Sequence, residues 1–223
     1  MSRSFLSVAA RVVAGGVLGA SAGAGGLVAQ NQPAVQADPG AIARAKADSA
    51  RYPYTAADIR FMSGMISHHA QAIVMARWAP SHNAGASVQR LAERIINAQQ
   101  DEIRLMQHWL ADRNQPVPEP GPDGVVRSHA GHEMLMPGML IREQMRELDQ
   151  AKSKEFDRLF LTFMIQHHRG AVVMVTELFE TEGAGRDLTA FKLATDISVD
   201  QTTEIRRMQR MLADLFFTEG TRP

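Results

Sequence analysis

The chain of 223 residues contains no cysteine. That absence excludes disulfide frameworks, thiolate zinc sites and thiol catalysis together. It also argues against a lipid anchor on a processed N-terminus. No charge of either sign predominates: 24 Lys and Arg balance 24 Asp and Glu, so no basic surface points to nucleic acid. No segment alternates apolar and polar residues as a half-buried strand would. There is no G-x-S-x-G elbow, and no glycine loop follows a strand to cradle a phosphate. What remains is helical sequence carrying histidine and methionine. Thirteen methionines and eight histidines supply soft or borderline metal ligands.

The histidines are placed by a repeat. DIRFMSGMISHHAQAIVM (Asp58 to Met75) recurs 99 residues later as DRLFLTFMIQHHRGAVVM (Asp157 to Met174), with identity at 9 of 18 positions. Each copy holds tandem histidines, His68-His69 and His167-His168, bracketed by methionines at helical spacing. Neither copy has an Asp or Glu between Ile59 and Ala79 or between Leu159 and Thr176. A second motif follows each copy: Gln99-x-x-Glu102-Ile103-x-x-Met106 and Gln201-x-x-Glu204-Ile205-x-x-Met208. Each repeat is therefore a helix pair, and two pairs predict an all-α four-helix bundle.

The expected order is an export signal over 1–29, a spacer over 30–55 with a short helix, and a bundle over 56–217. Repeat one covers 56–113, a Pro/Gly-rich connection 114–138, repeat two 139–217 and a tail 218–223. Arg3 and Arg11 precede a charge-free stretch whose glycines make it too weakly apolar to span a membrane. Small residues near Ala20–Ala22 and Ala29 offer cleavage points. The protein is thus expected in the periplasm or secreted, with no stable membrane span after cleavage; a disordered tail is the alternative. Thr55 is placed to cap the first helix, with Asp58 favourable in its first turn. The first two helices are predicted over 56–79 and 86–113. A third is predicted from 139, breaking near 151–154 and continuing to 182; the last runs from 186 to about 217.

On the first His-His helix, Phe61, Met62, Met65, His68, His69, Ala72 and Met75 fall within about 140° of arc. Adjacent histidines point about 100° apart, so a pair serves two neighbouring sites or places one ring inward and one at a rim. Gln99, Glu102, Gln201 and Glu204 lie on the inward stripes of the partner helices. There they either orient imidazoles or bind an ion directly. A third cluster, SHAGHEMLMPGML, brings His129, His132, Met134, Met136 and Met139 together in the irregular connection. Thioethers prefer Cu(I), while imidazole accepts Cu(I), Cu(II), zinc or iron.

FMSGMISHHAQAIVM, MPGML and EFDRLFLTFMIQHHRGAVVM resemble the domain-of-unknown-function-305 family, over roughly residues 54–217. The resemblance implies a ferritin-like bundle and copper handling through Met65, His68, His69, Met75, Met164, His167, His168, Met174 and the central Met/His segment. Leu140 stands where related sequences often carry another methionine. The expected function is an exported copper binder for sequestration, tolerance or delivery, favouring Cu(I) and admitting Cu(II). It is not an enzyme, and a copper-accepting protein is its expected partner. Two alternatives remain. One is a metal-free structural or partner-binding bundle; the other is a di-iron oxidase, for which Glu102 and Glu204 supply too few hard ligands.

Overall fold

The computed structural model describes residues 53–127 and 133–219, together with Gly40, Ala43 and Ala47. The export segment and most of the spacer lie outside the described residues.

From residue 53 on, the described residues form five helices in order: α1 (Ala56–Arg77), α2 (Ala86–Ala111), α3 (Arg142–Gln150), α4 (Ser153–Glu180) and α5 (Leu188–Glu219). Thr55 caps α1 as expected. Its Oγ1 accepts from the backbone N–H of Ala57 and Asp58, and Asp58 Oδ2 accepts from the Thr55 N–H at 2.7 Å. Helix α1 ends at Arg77 rather than Ala79, because turns take over ahead of Pro80. Met139 and Leu140 are not helical; α3 begins at Arg142, and Ala151–Lys152 separates it from α4. Helix α5 runs to Glu219, two residues into the expected tail.

The connection also contains a feature that periodicity could not announce. Val126–Arg127 (β1) pairs antiparallel with Glu133–Met134 (β2), Val126 opposite Met134. Two residues are too few to display a period of two.

Helix α1 packs along α2, and α4 along α5, while the two hairpins meet through α1 and α4. The result is a four-helix bundle of two repeated helix pairs, with α3 as a short extra helix in the connection. The repeats are clamped reciprocally. Asp58, at the start of α1, accepts from the Gly185 N–H of the second hairpin's turn at 2.8 Å. Its counterpart Asp157, at the start of α4, accepts from the Gly85 N–H of the first hairpin's turn at 3.0 Å. Each carboxylate thus ties the other repeat's interhelical turn. A further tie joins α2 to the start of α5. Asp187 accepts from Trp109 Nε1 at 2.9 Å, from Arg113 at 2.7 Å and from the Ala190 N–H at 3.0 Å. No helix among the described residues is long and apolar enough to cross a membrane.

The core divides into two apolar ends. One collects Met75, Leu91, Ile95, Phe156, Phe160, Met164 and Met208; the other collects Phe61, Met65, Ile66, Met106, Trp109, Met174 and Ile197. Fully burying one such side chain contributes roughly 1.5–3 kcal/mol. The tandem histidines and the Gln/Glu motifs fall, on all four long helices, between the residues of these two ends. A polar layer therefore crosses the middle of the bundle.

Candidate metal centre

All four repeated histidines have zero exposure, so neither member of a pair sits at a rim. Adjacent rings point in different directions, as the 100° step requires. His68 and His167 turn toward each other across the α1–α4 contact, with ring centroids 3.8 Å apart and planes 43° apart. His69 and His168 turn toward the partner helices of their own hairpins. His69 Nε2 lies 2.7 Å from Glu102 Oε2 on α2, off the line of a good hydrogen bond. His168 Nε2 donates to Glu204 Oε2 on α5 at 2.8 Å. The expected Glu partners are thus beside imidazoles, one in each hairpin. Arg94 also stands 3.9 Å from Glu204.

Burial holds His68 and His167 well below the ordinary imidazole pKa, and the neighbouring imidazoles push in the same direction. Both rings are neutral near pH 7 and carry lone pairs. Those lone pairs are not used by the protein. His68 Nδ1, His69 Nδ1, His168 Nδ1 and both nitrogens of His167 are buried without a hydrogen-bond partner, as are the side-chain oxygens of Gln99 and Gln201. An unsatisfied buried polar atom costs about 1–3 kcal/mol. They are concentrated in one layer, which leaves several electron-pair donors there without a protein partner.

The methionines lie on both sides of this layer. Met65 and Met174 belong to one apolar end; Met75 and Met164 belong to the other. Each end therefore joins the leading methionine of one repeat to the trailing methionine of the other. Of the central cluster, only the three methionines are described. His129 and His132 lie outside the described residues. Met134 is 47% exposed on β2, away from the buried layer. Met139 is buried, and its sulfur accepts from the Met136 N–H at 3.2 Å. Met136 reaches the His-His helices, against Gly64 of α1 and beside Met174.

Sequence reasoning missed the strap that covers the layer. Met136-Pro137-Gly138 lies directly on α4, where a Cβ on Gly170 would come within 1.8 Å of the Pro137 carbonyl oxygen. Only glycine permits that approach, and Gly138 itself has φ +77°, a left-handed conformation. The Pro137 carbonyl faces His68 Nε2 at 3.1 Å. On the other side, Gln71 of α1 pairs with Leu140 through both its amide atoms, at 3.0 and 2.8 Å. Ser67 Oγ donates to the Gly124 carbonyl at 3.2 Å, and Gln166 Nε2 donates to the Gly138 carbonyl at 3.3 Å. Ser67 and Gln166 are repeat counterparts, as are Gln71 and Gly170. The repeats differ at these positions because one asymmetric connection docks on both. The MPGML run was the only sequence signal for it.

The sequence profile described as "Domain of unknown function (DUF305)" matches residues 58–212, which span the whole bundle from the first clamp residue to α5. The chain belongs to the DUF305 family. Among solved structures it is similar to a DUF305 fragment from Deinococcus radiodurans, at 30% identity and TM-score 0.60, over 73% of this chain and 99% of that one. It is also similar to a putative secreted DUF305 protein from Streptomyces coelicolor, at 29% identity and TM-score 0.59, over 71% and 93% of the two chains. CopM in its Cu(I)-bound form matches at 30% identity and TM-score 0.54, over 70% of this chain and 96% of CopM; CopM has also been solved with Cu(II) and with silver. An uncharacterized protein, L153, of Acanthamoeba polyphaga mimivirus is 38% identical over 56 residues, a match spanning 25% of this chain and 37% of that protein. The ferritin-like four-helix fold is that of the family.

Within this DUF305 bundle, no group of three or more His, Asp or Glu among the described residues is arranged to hold a metal ion. The imidazoles come in pairs, and both inward glutamates are already beside histidines. The donors of the layer are imidazole nitrogens and the two Gln side-chain oxygens, with thioether sulfurs in the flanking ends and only two carboxylates, each beside a histidine. That chemistry fits a soft ion and does not fit a carboxylate-bridged iron pair.

Proposed function

We propose that this protein is an exported binder of monovalent copper, holding Cu(I) in the buried imidazole layer for sequestration or delivery. The observation that carries this reading is the set of unpartnered imidazole nitrogens at zero exposure, with His68 and His167 in ring contact. Thioether prefers Cu(I) and neutral imidazole accepts it, and Met65, Met75, Met164 and Met174 occupy the apolar ends that flank the rings. Glu102 and Glu204 act from behind, orienting His69 and His168. The Cu(I), Cu(II) and silver complexes of CopM support the choice of metal. The signal-like residues 1–29 and the secreted relative support export. The protein works as a binder rather than an enzyme, and delivery requires a copper-accepting protein.

A metal-free structural bundle is the second reading, favoured by one observation: the His168–Glu204 pair is already a good hydrogen bond. Anaerobic Cu(I) titration against a chromogenic chelator separates the two. Saturable competition by wild type, lost in a folded His68→Ala/His167→Ala variant, supports the copper site; both Glu–His pairs remain in that variant. Undiminished binding by the folded variant removes these imidazoles from the site. Failure of wild type to compete leaves the structural reading.

A further inference from the structure

An ion that binds among fully buried imidazoles must cross the shell around them. Pro137 is exposed and its carbonyl oxygen touches His68 Nε2, so at this point solvent and the polar layer are one residue apart. Beside it opens a groove of about 290 Å³, whose walls include Met136, Pro137, Met174, Arg60 and Glu177. A Cβ on Gly64 would lie 3.0 Å from Met136 Sδ and 3.2 Å from Met174 Cε. Two thioether side chains therefore converge over bare backbone, one helical turn before His68. The repeat counterpart of Gly64 is the buried Phe163, so only the first repeat leaves this space open. Met136 is half-buried, whereas the methionines flanking the histidines are buried.

We propose that Met136 and Met174 form a transit site for a monovalent soft cation, Cu(I) or Ag(I), at the mouth of this groove. From there the ion passes beneath the strap to the imidazoles. The proposal rests on the copper reading above. Thioethers bind soft ions and leave hard divalent ions in water, so the pair selects at the surface. Transfer inward is ligand exchange: sulfur–metal bonds are replaced by imidazole nitrogen–metal bonds, with no electron or proton gained. Two neutral sulfurs hold the ion weakly enough to release it to the buried rings.

The test is the rate of Ag(I) uptake by the full chain, followed by stopped-flow fluorescence with a competing chelator, alongside the final number of ions bound. Met136→Leu removes one sulfur and keeps the volume. Gly64→Ala keeps both sulfurs and crowds the space between them, against side-chain ends that can yield. Met145→Leu, at the edge of the opposite apolar end, is the control. Expected are uptake several-fold slower in both groove variants, an unchanged endpoint, and wild-type behaviour in the control. Wild-type rates in Met136→Leu and Gly64→Ala would overturn the transit site. A lowered endpoint in Met136→Leu would also overturn it, by making Met136 a resident ligand. If wild type takes up no Ag(I), the copper reading itself fails, and the transit site with it.

Discussion

Replacing Gly170 by alanine sets two opposed effects against each other. In an exposed helix, Gly→Ala would stabilise by about 1 kcal/mol through backbone entropy alone. Here the new Cβ would meet the Pro137 carbonyl oxygen at 1.8 Å, its carbon at 2.4 Å and Gly138 Cα at 2.6 Å. These are backbone atoms, so the strap must lift by more than an ångström to restore ordinary contact. That lift breaks the His68–Pro137 and Gln166–Gly138 hydrogen bonds, which sit on the displaced residues themselves. At about 0.5–1.5 kcal/mol each, with a further cost for leaving a buried His68 nitrogen unpaired, the loss is roughly 2–4 kcal/mol. Net of the helix gain, Gly170→Ala should destabilise by about 1–3 kcal/mol. For a bundle of this size that lowers Tm by roughly 3–10 °C. Thermal and urea unfolding followed by circular dichroism read it directly. Gly64→Ala is the comparison, since its Cβ meets only side-chain ends and should change stability little. A Gly170→Ala protein as stable as wild type, or more so, would refute the docking of the strap on α4.

Two further outcomes follow from the buried layer. His68 and His167 have folded pKa values well below the unfolded value of about 6.5, because burial disfavours their charged forms. Below that pH the unfolded chain binds protons that the folded chain refuses. Metal-free stability should therefore be flat above about pH 7. As pH falls below about 6.5 it should drop, with a slope of up to about 1.4 kcal/mol per pH unit per histidine, until the folded pKa values are reached. Urea midpoints between pH 8 and 5 that do not move would contradict the burial of neutral rings. Glu204→Ala should leave His168 with no partner on either nitrogen. It should cost about 1–3 kcal/mol of metal-free stability and, if copper is the guest, roughly 10–100-fold in Cu(I) affinity by chelator competition. Unchanged affinity in the folded variant would remove Glu204 from any role in orienting a ligand.

Local chemistry was enough for the helices and their pairing. The Thr55 cap, the methionine and histidine spacing, and the doubled motif each act within a few residues or recur along the chain, so they are legible without a partner. The inward placement of Glu102 and Glu204 was legible for the same reason, since a helix stripe shows which residues share a face. Where His68 and His69 point relative to other helices was not, because two rings 100° apart acquire partners only when α1 meets both α2 and α4. The reciprocal clamp of Asp58 on Gly185 and Asp157 on Gly85 spans 127 and 72 residues, a separation at which no periodicity carries information. Pro137 could not be found from its side chain at all, because its contribution to the site is a backbone carbonyl. The division between Ser67 and Gln166, or Gln71 and Gly170, reads in the sequence as drift between two copies. In the fold it reflects one connection lying across two otherwise similar helices, a constraint that exists only once both surfaces are assembled.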